Sequence, residues 1–278
     1  MGLTEPLSEG ISAGPMVAKL TDPLGVSEEL LGRTQTFRDR VQAGGGSIED
    51  GALEGLYDPT LRAIEGFSGV GLSDLVFFGA ASAIENNSGS IQTLFDASGN
   101  EHDAMQTTTA EQPTLDKSSI GGRRGASGDG TDDTITTGRD ISISEPITEI
   151  AVGTMPNDGV ALMAGTGKNN NFLIFNNERN SEWAIYNGAI RGSGGTSDSN
   201  AHVFSAVFKS TDTLRVDKTQ MISKDVGSYD ASGFRLLSND EISRHNSGVF
   251  LGGLVINREI SPQKQDKLAS QFMQYYSI

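Results

Sequence analysis

Apolar and polar positions change rhythm three times along this chain. Residues 1–30 hold no sustained period, because Pro6, Gly10, Gly14, Pro15, Pro23 and Gly25 interrupt every short apolar run. Such a segment buries too little apolar surface to fold alone, so it reads as an extended arm, loose or laid along a partner. From Ser27 the spacing turns helical. Ser27 is placed to cap a helix carrying Leu30 and Leu31, and Phe37 and Val41 follow at i, i+4. Gly44-Gly45-Gly46 stops that helix, and Ser47 with Asp50 three residues on reads as a variant capping box. Leu53, Leu56, Leu61 and Ile64 keep near-helical spacing, with a break expected at Asp58-Pro59. The division that follows is an arm over 1–30, a small helical segment over 31–70 and a larger unit over 71–278.

Past Gly66 the period shortens. Apolar runs at 74–78, 147–152, 171–175, 183–186, 202–208, 213–217, 233–237 and 248–256 are separated by Gly, Asn, Ser and Asp clusters. Some alternate in and out; others are continuously apolar, as in strands covered on both faces. Many short strands with few helical interruptions predict a mainly β, antiparallel sandwich or barrel. At the end, Ser261-Pro262 pairs an N-cap residue with proline at the first helical position, and Leu268, Phe272 and Tyr276 then fall on one face. A closing helix packed on the sheet is expected.

Composition adjusts this picture in a few places. Glycine supplies 35 of 278 residues without any Gly-x-y period, which indicates many tight turns rather than a fibrous chain. Acids outnumber bases 36 to 21, and the net charge of −15 repels phosphate backbones and anionic lipid. Nucleic acid and membrane are therefore poor partners. There is no cysteine, which removes disulfides, thiol nucleophiles and Cys-based zinc sites. The first residues lack a basic stretch followed by an apolar one, so no secretory signal is expected, and no run reaches the length of a membrane span.

Three segments in order resemble the concanavalin A-like, laminin G-like jelly-roll modules. The first is Leu94-Phe95-Asp96-Ala97-Ser98-Gly99-Asn100-Glu101-His102-Asp103-Ala104 with Gln112-Pro113-Thr114. It is similar to the family's W-x-D-x-S-G-N-G-x-x-A opening and its Q-P-T, with Phe95 and Glu101 departing from the common residues. The second, Gly128-Asp129-Gly130-Thr131-Asp132-Asp133, resembles the F-D-G-x-D-D turn without its aromatic. The third runs from Val249 through Ile256-Asn257-Arg258-Glu259-Ile260-Ser261 into the terminal helix. The resemblance covers 72–278 and implies a jelly roll of the kind found in tailed-phage virion proteins and in secreted carbohydrate-binding proteins. Upstream, residues 37–49 resemble a helical stretch that precedes such modules in phage structural proteins. On that footing Phe37, Arg38, Arg40 and Val41 are candidates for attachment to a particle.

Candidate chemistry is thin. Asp129, Asp132 and Asp133 are either a Gly-Asp-Gly turn held by backbone amides or ligands for Ca²⁺, which some members of the family bind; no other cofactor is indicated. Trp183 and Tyr186, with Asn170 and Asn176 on neighbouring loops, are either a sugar-stacking platform with hydrogen-bonding side chains or ordinary strand burial. No paired-carboxylate segment suited to glycoside hydrolysis occurs, Gly165-Thr166-Gly167-Lys168 has the wrong spacing for a phosphate loop, and His102, His202 and His245 lack metal-ligand spacing. The expectation is therefore a protein that is not an enzyme. The resemblance implies a virion structural protein assembled in the host cytoplasm, contacting capsid or tail proteins and forming a homo-oligomer. The alternative is a carbohydrate-binding module that recognises a host or environmental glycan.

Overall fold

The computed structural model describes residues 28–138, 140–156, 160–166, 171–177, 181–189, 191–239 and 244–278. The arm, and Ser27 as the expected cap, lie outside these residues. Helix α1 (Glu28–Ala43) turns Leu30, Phe37 and Val41 inward. It ends at the triple glycine, where Gly45 takes a φ of +75° and the Gly46 amide donates back to the Val41 carbonyl at 2.8 Å; a Cβ on Gly46 would lie 2.4 Å from the Phe95 ring. Ser47 does not cap a second helix. It opens strand β1 (Ser47–Ile48), which pairs with Ile84 and Ala83 of β2 (Leu75–Asn87). Nor does Asp58-Pro59 break the following segment. A π-helical turn, Leu53–Tyr57, runs directly into α2 (Asp58–Glu65), and proline is tolerated in a first turn, where an N–H has no intrahelical acceptor.

The remaining strands are β3 (Ser90–Asp96), β4 (Ala104–Met105), β5 (Thr114–Asp116), β6 (Gly125–Ser127), β7 (Ile135–Thr137) and β8 (Ile147–Gly153). They continue with β9 (Ala161–Gly165), β10 (Asn171–Asn177), β11 (Glu182–Tyr186), β12 (Arg191–Thr196) and β13 (His202–Phe208). The last are β14 (Asp212–Val216), β15 (Thr219–Lys224), β16 (Phe234–Leu236) and β17 (Val249–Ile256). All pair antiparallel. One ladder runs β1-β2-β17-β8-β13-β14-β15. The other runs β3-β4-β7-β16-β9-β10-β11-β12. The β2–β3 pairing joins them on one side, and β5 and β6 bridge β3 to β17.

Between the ladders lies one apolar cluster. Phe77, Ala151, Phe204, Phe208 and Val255 meet Leu94, Leu162, Phe172, Trp183 and Phe234 there. The outer face of the first ladder carries a second cluster. Phe78, Ile150, Leu251 and Leu254 pack there against Leu30, Phe37 and Val41 of α1 and Leu61 of α2, and against Leu268 and Phe272 of α3 (Pro262–Tyr276). Strands β8 and β17 are thus covered on both faces, which explains why their sequences run apolar without alternating. The closing helix forms as expected, with Ser261 at the N-cap position and Pro262 opening the helix. The Ser261 side chain makes no capping bond; its carbonyl accepts from the amides of Lys264 and Gln265 instead. Among the described residues no helix is long and apolar enough to cross a membrane.

Candidate functional site

The platform expected around Trp183 does not form. Trp183 and Tyr186 stand three apart on β11, so strand parity sends them to opposite faces. Trp183 is 2% exposed and sits edge-on against His202 at 5.3 Å and Phe204 at 4.9 Å, inside the core between the ladders. Tyr186 packs, half-buried, beside Leu173, Phe175 and Ala184 on the other face. Asn176 is no loop residue. It pairs with Trp183 across β10 and β11, is buried, and donates its amide to the Met155 carbonyl at 3.1 Å. Asn170 lies outside the described residues.

The attachment candidates are also turned inward. Phe37 and Val41 belong to the cluster beneath α1, because their i, i+4 spacing is the buried stripe of the helix. The Arg40 guanidinium is bound to Asp103 at 2.5 Å and to the Asp96 carbonyl, and lies 5.9 Å from the Phe95 ring centroid. Arg38 lines a cleft of about 430 Å³ with Ser47, Glu49, Asp50 and Glu54, and Phe37 and Arg40 border another of about 310 Å³ with Arg33 and Glu101. Side chains already engaged within the chain leave little of this stripe for a partner.

The acidic turn does converge. One carboxylate oxygen from each of Asp129, Asp132 and Asp133 falls within 4.8 Å of the others. Burial, reinforced by the Asp129 charge, pushes the Asp133 carboxyl up to about 6. Backbone amides already occupy part of the donor set: Thr131 N–H reaches Asp129 Oδ1 at 2.7 Å, and Asp129 N–H reaches Asp133 Oδ2 at 2.8 Å. Calcium takes six to eight oxygens, so the three carboxylates fit it only as a partial shell completed by other oxygens.

A site that the strand pattern did not announce sits where four connections meet. They are residues 140–146 before β8, 187–189 after β11, 209–211 leading into Asp212 of β14, and 225–233 before β16. Ile143 and Ala231 exchange backbone hydrogen bonds of 3.0 and 2.9 Å, and Ala189 N–H donates to the Val226 carbonyl at 3.2 Å. The Asp212 carboxylate accepts from Val226 N–H at 2.7 Å and from Lys209 N–H at 2.8 Å, tying two connections together. Buried Asn187 donates to Glu145 Oε1 at 2.6 Å. Beside them the Tyr229 ring is 43% exposed, the one aromatic among the exposed large hydrophobics of the described residues. Its back is fixed by Gly188, where a Cβ would fall 1.5 Å from the tyrosine Cδ2 and where φ is +90°. Only glycine gives both the backbone conformation and the space.

Acid charge dominates this rim. Burial raises the Glu145 carboxyl and the charges of Asp225 and Asp230 raise it further, against the lowering bonds from Asn187 and Ser228. Burial likewise pushes Asp212 up to about 6, with Glu145 and Asp225 adding to the effect. The arrangement offers an aromatic face next to positioned hydrogen-bond acceptors. The sequence signal was faint: one tyrosine among Gly227, Ser228, Asp230 and Gly233 in a turn-rich stretch.

Comparison with known proteins locates the fold without assigning a family. The chain matches no protein-family model and no curated protein. Among solved structures it is similar to a Trypanosoma rangeli sialidase in complex with sialic acid, at 12% identity and a TM-score of 0.53, over 80% of this chain and 38% of that one. The same sialidase with a difluoro-KDN ligand gives 13% identity and 0.53, over 88% and 39%. The binding domain of paraclostridial mosquitocidal protein 1 gives 12% and 0.53, over 73% and 53%. This chain therefore spans under two fifths of the length of those sialidases. The likeness concerns fold: mainly antiparallel β with a C-terminal helix. It also corrects one expectation. A chain that shares its fold with part of a sialidase cannot be set apart from enzymes on sequence pattern alone, so the exclusion of catalysis falls.

Proposed function

We propose that the chain is a carbohydrate-binding module on a concanavalin A-like jelly roll, and that the rim around Tyr229 is its contact surface. One observation carries the reading: a half-exposed aromatic side chain packed against Gly188, near a carboxylate whose one oxygen is held by the Asn187 amide. Sugar rings present an apolar face edged by hydroxyl donors, and an aromatic face with fixed acceptors matches that chemistry. Two ladders enclosing a core, with rim loops at one end, and fold likeness to a named binding domain support the same reading. Of the residues that the resemblance suggested for particle attachment, Phe37, Arg40 and Val41 make contacts within the chain and Arg38 lines a cleft, so the geometry favours the glycan reading over the virion one.

The test is a glycan array followed by titration calorimetry of the full chain. Tyr229→Ala should weaken binding at least about tenfold, as truncation of a central aromatic contact does. Its melting temperature should stay close to that of the parent, because the ring is half in solvent. Undiminished binding by Tyr229→Ala would remove the rim from consideration.

A further inference from the structure

The composition of the rim narrows what it can accept. Glu145, Asp212, Asp225 and Asp230 come from different segments that meet at this rim: Asn187 holds Glu145 at 2.6 Å, and Val226, next to Asp225, donates its amide to Asp212 at 2.7 Å. Glu145 presents an acceptor: one oxygen takes the Asn187 amide at 2.6 Å, and the carboxyl is only partly covered. An ionised carboxylate accepts hydrogen bonds and donates none. A sugar hydroxyl can supply the proton; a carboxylate or sulfate cannot, and it meets like charge as well. The Tyr229 ring takes no part in this selection by charge, since an exposed aromatic side chain can pack against any pyranose with an apolar side.

We infer that the Tyr229 rim takes neutral, hydroxyl-rich pyranoses and rejects the same chains when they carry carboxylate or sulfate. This rests on the carbohydrate-binding reading above. The discrimination belongs to the acids and the affinity to the ring, so the two can be separated by mutation. Sialic acid, the ligand named for one structure of similar fold, falls in the rejected class.

The experiment uses the full chain on an array carrying neutral glucosyl, galactosyl and mannosyl oligosaccharides beside sialylated and sulfated versions of the same chains. Neutral oligosaccharides should bind, with their acidic counterparts at least about tenfold weaker. Asp225→Asn keeps a side-chain carbonyl for the Gly227 amide, which the native carboxylate accepts at 3.0 Å, and should narrow that gap. Acidic chains binding as well as neutral ones, still dependent on Tyr229, would overturn the inference and leave the glycan reading in place. A gap unchanged in Asp225→Asn would place the selection elsewhere and overturn it too. Silence across both halves of the array would end the reading and the inference together.

Discussion

Glu149 is the least expected side chain in the core, and its titration should control how this protein responds to pH. It sits mid-strand on β8, opposite Ala206 of β13 and Val255 of β17. Ile147 and Ala151, two residues to either side, belong to the cluster between the ladders, so Glu149 points into that cluster. It is fully buried, and neither carboxylate oxygen has a hydrogen-bond partner. Desolvation raises its pKa well above the ordinary 4.5. A raised acid holds its proton in the folded state after the unfolded chain has released it. Stability is therefore full below pH 4.5 and falls as pH rises, by about 1.4 kcal/mol per unit, until the folded carboxyl itself ionises. Each such unit is a large share of the about 5–15 kcal/mol typical of a domain.

Glu149→Gln keeps the shape and removes the titration. Urea unfolding of parent and variant at several pH values should show stabilities converging near pH 5 and separating towards neutrality, with the variant increasingly the more stable. Glu149→Met also removes the unsatisfied oxygens and should gain further, since replacing an unpaired buried polar group by an apolar one of similar size is favourable. Other raised carboxyls such as Asp133 and Asp212 contribute equally to both proteins, so the difference isolates position 149. Parallel pH profiles for parent and Glu149→Gln would refute the reasoning.

Three further outcomes are expected. Asp96, fully buried, accepts from Phe78 N–H, Ser98 N–H, Ser98 Oγ and His102 N–H, so Asp96→Ala strands several donors and should cost about 3–4 kcal/mol in chemical denaturation; a cost under about 1 kcal/mol would contradict that accounting. His202 is lowered by burial but raised overall by Asp217 at 2.5 Å and Asp198 at 2.8 Å. Its contribution to stability is thus full below 6.5 and lost as pH rises through the elevated value, and an NMR titration midpoint at or below 6.5 would dismiss the clamp. At the Asp129 turn, EDTA and millimolar calcium should leave the melting temperature unchanged, given the backbone amides already bound there; a rise with calcium that disappears in Asp132→Asn would show a metal site.

Much of the element order was legible along the chain. The continuous apolar run over 248–256 announced a strand covered on both faces, and Leu268, Phe272 and Tyr276 announced the buried face of the last helix. Local readings failed where a motif had two physical solutions. Ser47 and Asp50 fit a cap, yet the hydrogen-bonding edge of β2 drew Ser47 and Ile48 into a strand. Asp58-Pro59 fits a break as well as it fits a first turn, and the helix that follows decided between them.

Exposure was the part that only the tertiary structure could settle. Spacing places Trp183 on a strand, but the first ladder facing it made it core, and the same enclosure buried Glu149 within β8. The rim works the other way: Glu145, Asn187, Gly188 and Tyr229 span more than eighty positions and meet because four connections close one end of the fold. Period along the chain determined which residues form strands and helices, since that depends on neighbours two to four residues away. Which of those residues face water, acid or another ring depends on contacts between distant segments, and no local spacing encodes them.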